Sequence, residues 1–145
     1  MFKCLFISLT ATDMGPASYK CCVNSKILLV DDDPSNLRNV ARFLRGEGYE
    51  VDEAGGGNEA LQFLDQASYD LVLSDVMMPD LDGFHLIAQT LSIAPEVPFL
   101  LMSGFSNICP DQMVKRRVKD FILKPLDLDE LLSKVKRALD AGSHP

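Results

Sequence analysis

The chain has little with which to grip nucleic acid, cross a membrane or bind zinc. Lys and Arg number 14 against 21 Asp and Glu, a net charge of −7. Nucleic-acid binding needs a basic surface, so direct nucleic-acid recognition is not expected. No apolar run approaches the roughly 20 residues that cross a bilayer, which argues against membrane insertion. The four cysteines, Cys4, Cys21, Cys22 and Cys109, form no C-x-x-C pair and keep no metal-binding spacing with histidine. Adjacent cysteines such as Cys21 and Cys22 rarely bridge each other, because disulfide geometry is restrictive. Reduced thiols in a cytoplasmic chain are the simpler expectation.

What is present suits one globular domain. A length of 145 residues allows a full core, and 47% hydrophobic with 24% charged residues is an ordinary balance for one. Residues 1–24 stand apart. Met1-Phe2-Lys3 and the apolar stretch from Cys4 to Leu9 resemble the opening of a secretory signal, but the stretch is at the short limit. Gly15-Pro16-Ala17-Ser18 reads as a flexible lead-in. We expect a disordered extension over 1–24, or a start-site artefact with Met14 as one alternative start. The domain then runs over 25–141, with a frayed end at 142–145.

Within that domain, apolar runs and helical periodicities alternate. Lys26-Ile27-Leu28-Leu29-Val30 is a buried-type strand that stops at Asp31-Asp32-Asp33-Pro34, where Asp33 and Pro34 make a cap and first-turn pair. The following helix turns Leu37, Val40, Ala41 and Leu44 inward and ends at Gly46 and Gly48. Tyr49 to Ala54 alternates like an edge strand, and Gly55-Gly56-Gly57 breaks it. Asn58 is expected to cap a short helix carrying Ala60, Leu61, Phe63 and Leu64 inward. A third strand, opening at Asp70, ends at Asp75. Phe84, Ile87, Ala88 and Leu91 give the next helix its apolar face. Val97 to Met102 is a fourth strand, with Pro98 tolerable only near its start. Residues 106–119 are weakly periodic, with Ile108, Val114 and Val118 as candidate inward positions. Asp120 to Leu123 is a fifth strand. A last helix opens at Asp127-Leu128-Asp129-Glu130 and buries Leu128, Leu131, Leu132, Val135 and Leu139. Five such repeats predict an α/β fold: a doubly wound, five-stranded parallel sheet with helices on both faces.

The polar residues gather at strand ends. Asp31 and Asp32 follow the first strand, Asp75 the third, Ser103 the fourth and Lys124 the fifth. In the flavodoxin-like order 2-1-3-4-5, the first and third strands are neighbours at the topological switch point, and the three carboxylates converge. Such a cluster raises its own pKa values unless a cation neutralises it. Oxygen ligands in a small open site suit Mg²⁺, which keeps waters and welcomes phosphate oxygens. Lys124 can partner a phosphate as a point charge, and Ser103 can donate a hydroxyl. Together these residues describe phosphoryl transfer onto a carboxylate. Asp75 is the expected nucleophile, because it is central and has no competing cap role. Asp31 and Asp32 are the expected metal carboxylates.

Val30-Asp31-Asp32-Asp33-Pro34, Asp75-Val76-Met77-Met78-Pro79-Asp80-Leu81-Asp82-Gly83, Met102-Ser103-Gly104 and Leu123-Lys124-Pro125 resemble, in order and approximate spacing, the receiver domain of bacterial response regulators. The likeness covers residues 26–140. It implies that Asp75 accepts phosphate from a sensor histidine kinase or histidine phosphotransfer protein. It further implies that Asp32, Asp75 and the backbone carbonyl of Met77 ligate Mg²⁺, with Asp31 acting through water. Ser103 and Lys124 would contact the phosphoryl group, the Lys124–Pro125 bond would be cis, and Phe121 would stand at an aromatic switch position paired with Ser103. A downstream protein target or effector domain would dock on the face of the fourth helix (106–119) and the fifth strand.

Three details go further. Met77 and Phe105, both bulky and apolar, fall where the family varies the groups near the incoming water, which predicts a long-lived phosphoaspartate. Phe121 has no hydroxyl, so it would report burial without making a new hydrogen bond. Lys115-Arg116-Arg117-Val118-Lys119 is unusually basic, and two readings stay open: a solvated helix end, favoured by the helix dipole, or part of the partner surface. Rival functions fit less well. A flavin-phosphate loop would not be Asp31-Asp32-Asp33, and a haloacid-dehalogenase-type phosphatase would leave Asp75 without a role. A receiver-like docking module that works without phosphorylation is the remaining alternative.

Overall fold

The computed structural model describes residues 25–104 and 117–143. Its sheet has five parallel strands: β1 (Lys26–Val30), β2 (Glu50–Ala54), β3 (Leu71–Asp75), β4 (Phe99–Ser103) and β5 (Val118–Leu123), in the order β2-β1-β3-β4-β5. This is the expected doubly wound order. Four helices are described: α1 (Pro34–Gly46), α2 (Gly57–Gln66), α3 (Gly83–Thr90) and α4 (Leu128–Ser143). The segment expected to supply a further helix before β5 lies largely outside the described residues, as do residues 1–24.

Strand alternation sorts the core into two halves. Ile27, Leu29, Leu71, Leu73, Leu100, Met102 and Ile122 point to one face, where α1 and α4 cover them with Val40, Ala41, Leu44, Leu131, Val135 and Leu139. Leu28, Val30, Val72, Phe99 and Leu101 point to the other, under Ala60 and Leu64 of α2 and Leu86 and Ile87 of α3. The central strands β1, β3 and β4 are therefore buried on both sides, which is why they read as unbroken apolar runs. Asp33 caps α1 as expected, its carboxylate accepting the Ser35 N–H at 3.0 Å.

Four local expectations are corrected. Asn58 does not cap α2; the helix already includes Gly57, and Gly56 holds the cap position. In α3 Ile87 is buried and Phe84 packs partly buried on the core as expected, but the fully buried face is completed by Gly83, Leu86 and Thr90, and Ala88 is exposed. Both quartets have helical spacing, and the entry point selects between them. A Cβ on Gly83 would lie 2.8 Å from the Asp75 carbonyl oxygen, so α3 starts with that position turned inward. Buried Thr90 satisfies its hydroxyl by donating to Leu86 O at 2.6 Å. Leu128 is exposed, because α4 meets the sheet one turn later, from Leu131. Val118 does pack inward, partly buried against the core under α2 and α3, but from the start of β5 and not from a helix. A register irregularity between Phe99 and Leu100 leaves Lys119 extra in the β4–β5 pairing.

Candidate functional site

The carboxyl ends of β1, β3, β4 and β5 form one rim. Asp31 is buried at the end of β1, where its N–H donates to Ala54 O of β2 at 3.1 Å. Its Oδ1 accepts the Asp33 N–H at 3.0 Å, and its Oδ2 accepts from the side-chain amide of Asn36. Asp32 beside it is exposed. Asp75, at the end of β3, is 6% exposed. The Met77 N–H donates to Asp75 Oδ1 at 3.3 Å and the Lys124 ammonium to Oδ2 at 2.8 Å. Lys124 also lies 3.7 Å from Asp31 Oδ2.

One carboxylate oxygen from each of Asp31, Asp32 and Asp75 lies within 4.8 Å of the others. Among the described residues, three carboxylates face a single ammonium, and every candidate ligand is a hard oxygen. That donor set fits a hard divalent cation such as Mg²⁺. The electrostatics agree with crowding. Burial, reinforced by the charge of Asp31, holds the Asp75 carboxyl above the usual carboxylate range despite the Lys124 hydrogen bond. Burial alone would lower Lys124, but its bond to Asp75 and the charges of Asp31, Asp75 and Asp32 outweigh that and raise it. Ser103 is fully buried at the end of β4, and its carbonyl accepts the Lys124 N–H at 2.8 Å. The Lys124–Pro125 peptide is cis.

The family model for the response regulator receiver domain matches residues 27–136. The chain belongs to that family. Among curated relatives, the transcriptional regulatory protein ZraR of Escherichia coli (strain K12) is 36% identical over 117 residues, which are 80% of this chain and 26% of ZraR. The chain thus spans about a quarter of that relative's length. Among solved structures, a CheY-like receiver domain protein from Methanospirillum hungatei JF-1 superposes with a TM-score of 0.75 at 28% identity, covering 81% of this chain and 95% of that one. TrrA from Thermotoga maritima, solved in complex with Mg²⁺-BeF, gives 0.71 at 31% identity over 79% of this chain and 98% of its own. No helix among the described residues is long and apolar enough to cross a membrane.

The other expected residues of this receiver domain fall as follows. Met77 projects outward, 59% exposed, beside the acceptor. Phe121 is partly buried against the core under α2 and α3, and its carbonyl accepts from Lys134 at 2.7 Å. Arg117 departs from both readings of the basic segment. It is only 9% exposed, and its guanidinium donates to Val97 O at 3.0 Å and Ala94 O at 2.7 Å. The turn before β4 leaves those carbonyls without helical partners, and the arginine fills them. Lys119 alone of the described basic residues there is exposed; Lys115, Arg116 and Phe105 lie outside the described residues. Asn36 was missed, since a polar residue on the first turn of a helix looks solvated. Asp80 was missed as well; the signal for it was a glycine run that opens a helix without a cap of its own.

Proposed function

We propose that Asp75 is the phosphoacceptor of a two-component system, charged by a sensor histidine kinase or histidine phosphotransfer protein. The observation that carries this reading is the buried Asp75 carboxylate, 2.8 Å from the Lys124 ammonium and clustered with Asp31 and Asp32. An Asp75 oxygen forms the new O–P bond as the P–N bond of a phosphohistidine breaks. The bonding pair leaves with the imidazole, which takes a proton from solvent. Lys124 neutralises charge on the phosphoryl oxygens and the Ser103 hydroxyl donates to one of them. Asp32, Asp75 and the Met77 carbonyl would hold Mg²⁺, with Asp31 bound through water, and the ion would supply counter-charge to the phosphoryl group. The protein's share is positioning and electrostatics, so the chain acts as a signalling phosphoacceptor and promotes only its own phosphorylation and dephosphorylation. Ser103 and Phe121 would relay the change to a downstream protein target or effector domain across the face of β5 and the 106–119 segment.

Incubation with acetyl phosphate and Mg²⁺, followed by intact mass, tests this. A Mg²⁺-dependent phosphoryl adduct is expected on wild type and absent from Asp75→Asn. An adduct kept by the variant would move the acceptor to another aspartate. None on wild type, with a cognate kinase also tried, would leave the docking-module reading in its place.

A further inference from the structure

The N-terminus of α2 has no cap of its own. Gly56 stands at the cap position without a side chain to offer. The N–H groups of Gly57 and Asn58 donate instead to Asp80, in the loop after β3, at 3.3 and 3.1 Å. The approach is close. A Cβ on Gly56 would lie 2.8 Å from Asp80 Oδ2, and one on Gly57 2.7 Å from the Leu81 carbonyl oxygen. Glycine at both positions is therefore what lets the loop dock. The N–H of Asn58 foremost, with those of Gly57 and Leu81, holds the Asp80 carboxyl below its usual range.

The same stretch reaches the other half of the site. Ala54, two residues before Gly56, accepts the Asp31 N–H at 3.1 Å. Residues 54–58 thus hold Asp31 by a backbone hydrogen bond at one end and the acceptor loop at the other. The loop's near end is fixed by Val76 N–H on Met102 O at 2.9 Å and by Met77 N–H on Asp75. Only Met78 and Pro79 separate Met77 from Asp80.

We propose that Asp80 is a positioning residue: by capping α2 from across the chain, it ties the loop after Asp75 to the stretch that holds Asp31, and so fixes the spacing between the two halves of the acidic cluster. This rests on the phosphoacceptor reading above for its functional meaning.

Titration calorimetry with MgCl₂, in the absence of any phosphodonor, reads the spacing directly. Acetyl phosphate labelling at saturating Mg²⁺ reads its use. Asp80→Ala is expected to bind Mg²⁺ about tenfold more weakly, as when an outer-shell partner of a metal site is removed. Asp80→Asn, which keeps an acceptor oxygen, should fall between. Gly57→Ala attacks the same contact from the other side and should weaken Mg²⁺ binding similarly, adding little to Asp80→Ala. Wild-type Mg²⁺ affinity in folded Asp80→Ala, whatever its melting temperature, would overturn the proposal and leave Asp80 a helix cap. Should Asp80→Ala not fold, Asp80→Asn and Gly57→Ala decide by the same readout. A wild type that binds Mg²⁺ and takes no phosphate would overturn the phosphoacceptor reading alone; one that binds no Mg²⁺ would overturn both.

Discussion

Asp75 is 6% exposed, and burial raises its carboxyl above the ordinary range even with Lys124 bonded to it. The folded chain therefore holds this proton more tightly than the unfolded chain. By linkage, the corresponding stability is fully present below the unfolded pKa of about 3.9 and is lost as pH rises through the higher folded value. In Mg²⁺-free buffer, Asp75→Asn should melt above wild type at neutral pH, with the gap closing as the solution is acidified. Equal melting points at neutral pH would mean that Lys124 fully offsets the burial. Met77 gives a second residue-scale expectation. Its side chain is largely exposed while its N–H bonds the acceptor carboxylate, and Met77→Asn should shorten the phosphoaspartate lifetime once labelled protein is moved to donor-free buffer; an unchanged decay rate would remove Met77 from any role in shielding the bond. The strand-end residues Asp31, Asp32, Asp75, Ser103 and Lys124 were legible in sequence because each ends a short apolar run. Asn36, Asp80 and Arg117 were not, since a polar side chain carries no mark of a partner that folding brings from elsewhere.

At the scale of elements, entry points decide what periodicity leaves open. The sequence of α3 offers two apolar faces one residue apart. Gly83, packed on the Asp75 carbonyl, selects the face of Leu86, Ile87 and Thr90. Gly83→Ala would force a Cβ against backbone that cannot swing away. A loss of about 1–3 kcal/mol in urea unfolding is expected, together with slower acetyl phosphate labelling, because the displaced atom belongs to the acceptor residue. The start of β5 depends on Arg117 in a comparable way. Its guanidinium donates to the carbonyls of Ala94 and Val97, so Arg117→Ala should cost roughly 2–4 kcal/mol through the lost charge-assisted bonds and the Val97 carbonyl left without its donor. A solvated arginine would cost almost nothing in the same assay. The basic stretch around it was legible as unusual, but its inward turn follows from a turn in a different part of the chain.

For the whole molecule, the strand order places residues from four strand ends on one rim. The doubly wound sheet was readable from the alternation of apolar runs and amphipathic segments, whereas the order itself came from the flavodoxin-like pattern. The rim gathers three carboxylates around one lysine. A cation that binds this folded cluster and not the unfolded chain must stabilise the fold. At a concentration ten times its dissociation constant, Mg²⁺ should add about 1.4 kcal/mol, seen as a rise in melting temperature that Asp32→Asn diminishes. No rise at any Mg²⁺ concentration would argue that the cluster holds no such ion. The sheet has one more consequence. It keeps the core beneath α1 and α4 apart from the core beneath α2 and α3, so a side chain enlarged on one face imposes no volume change on the other. Over generations of descent, each face is free to repack by its own succession of substitutions, while the rim between them stays in place.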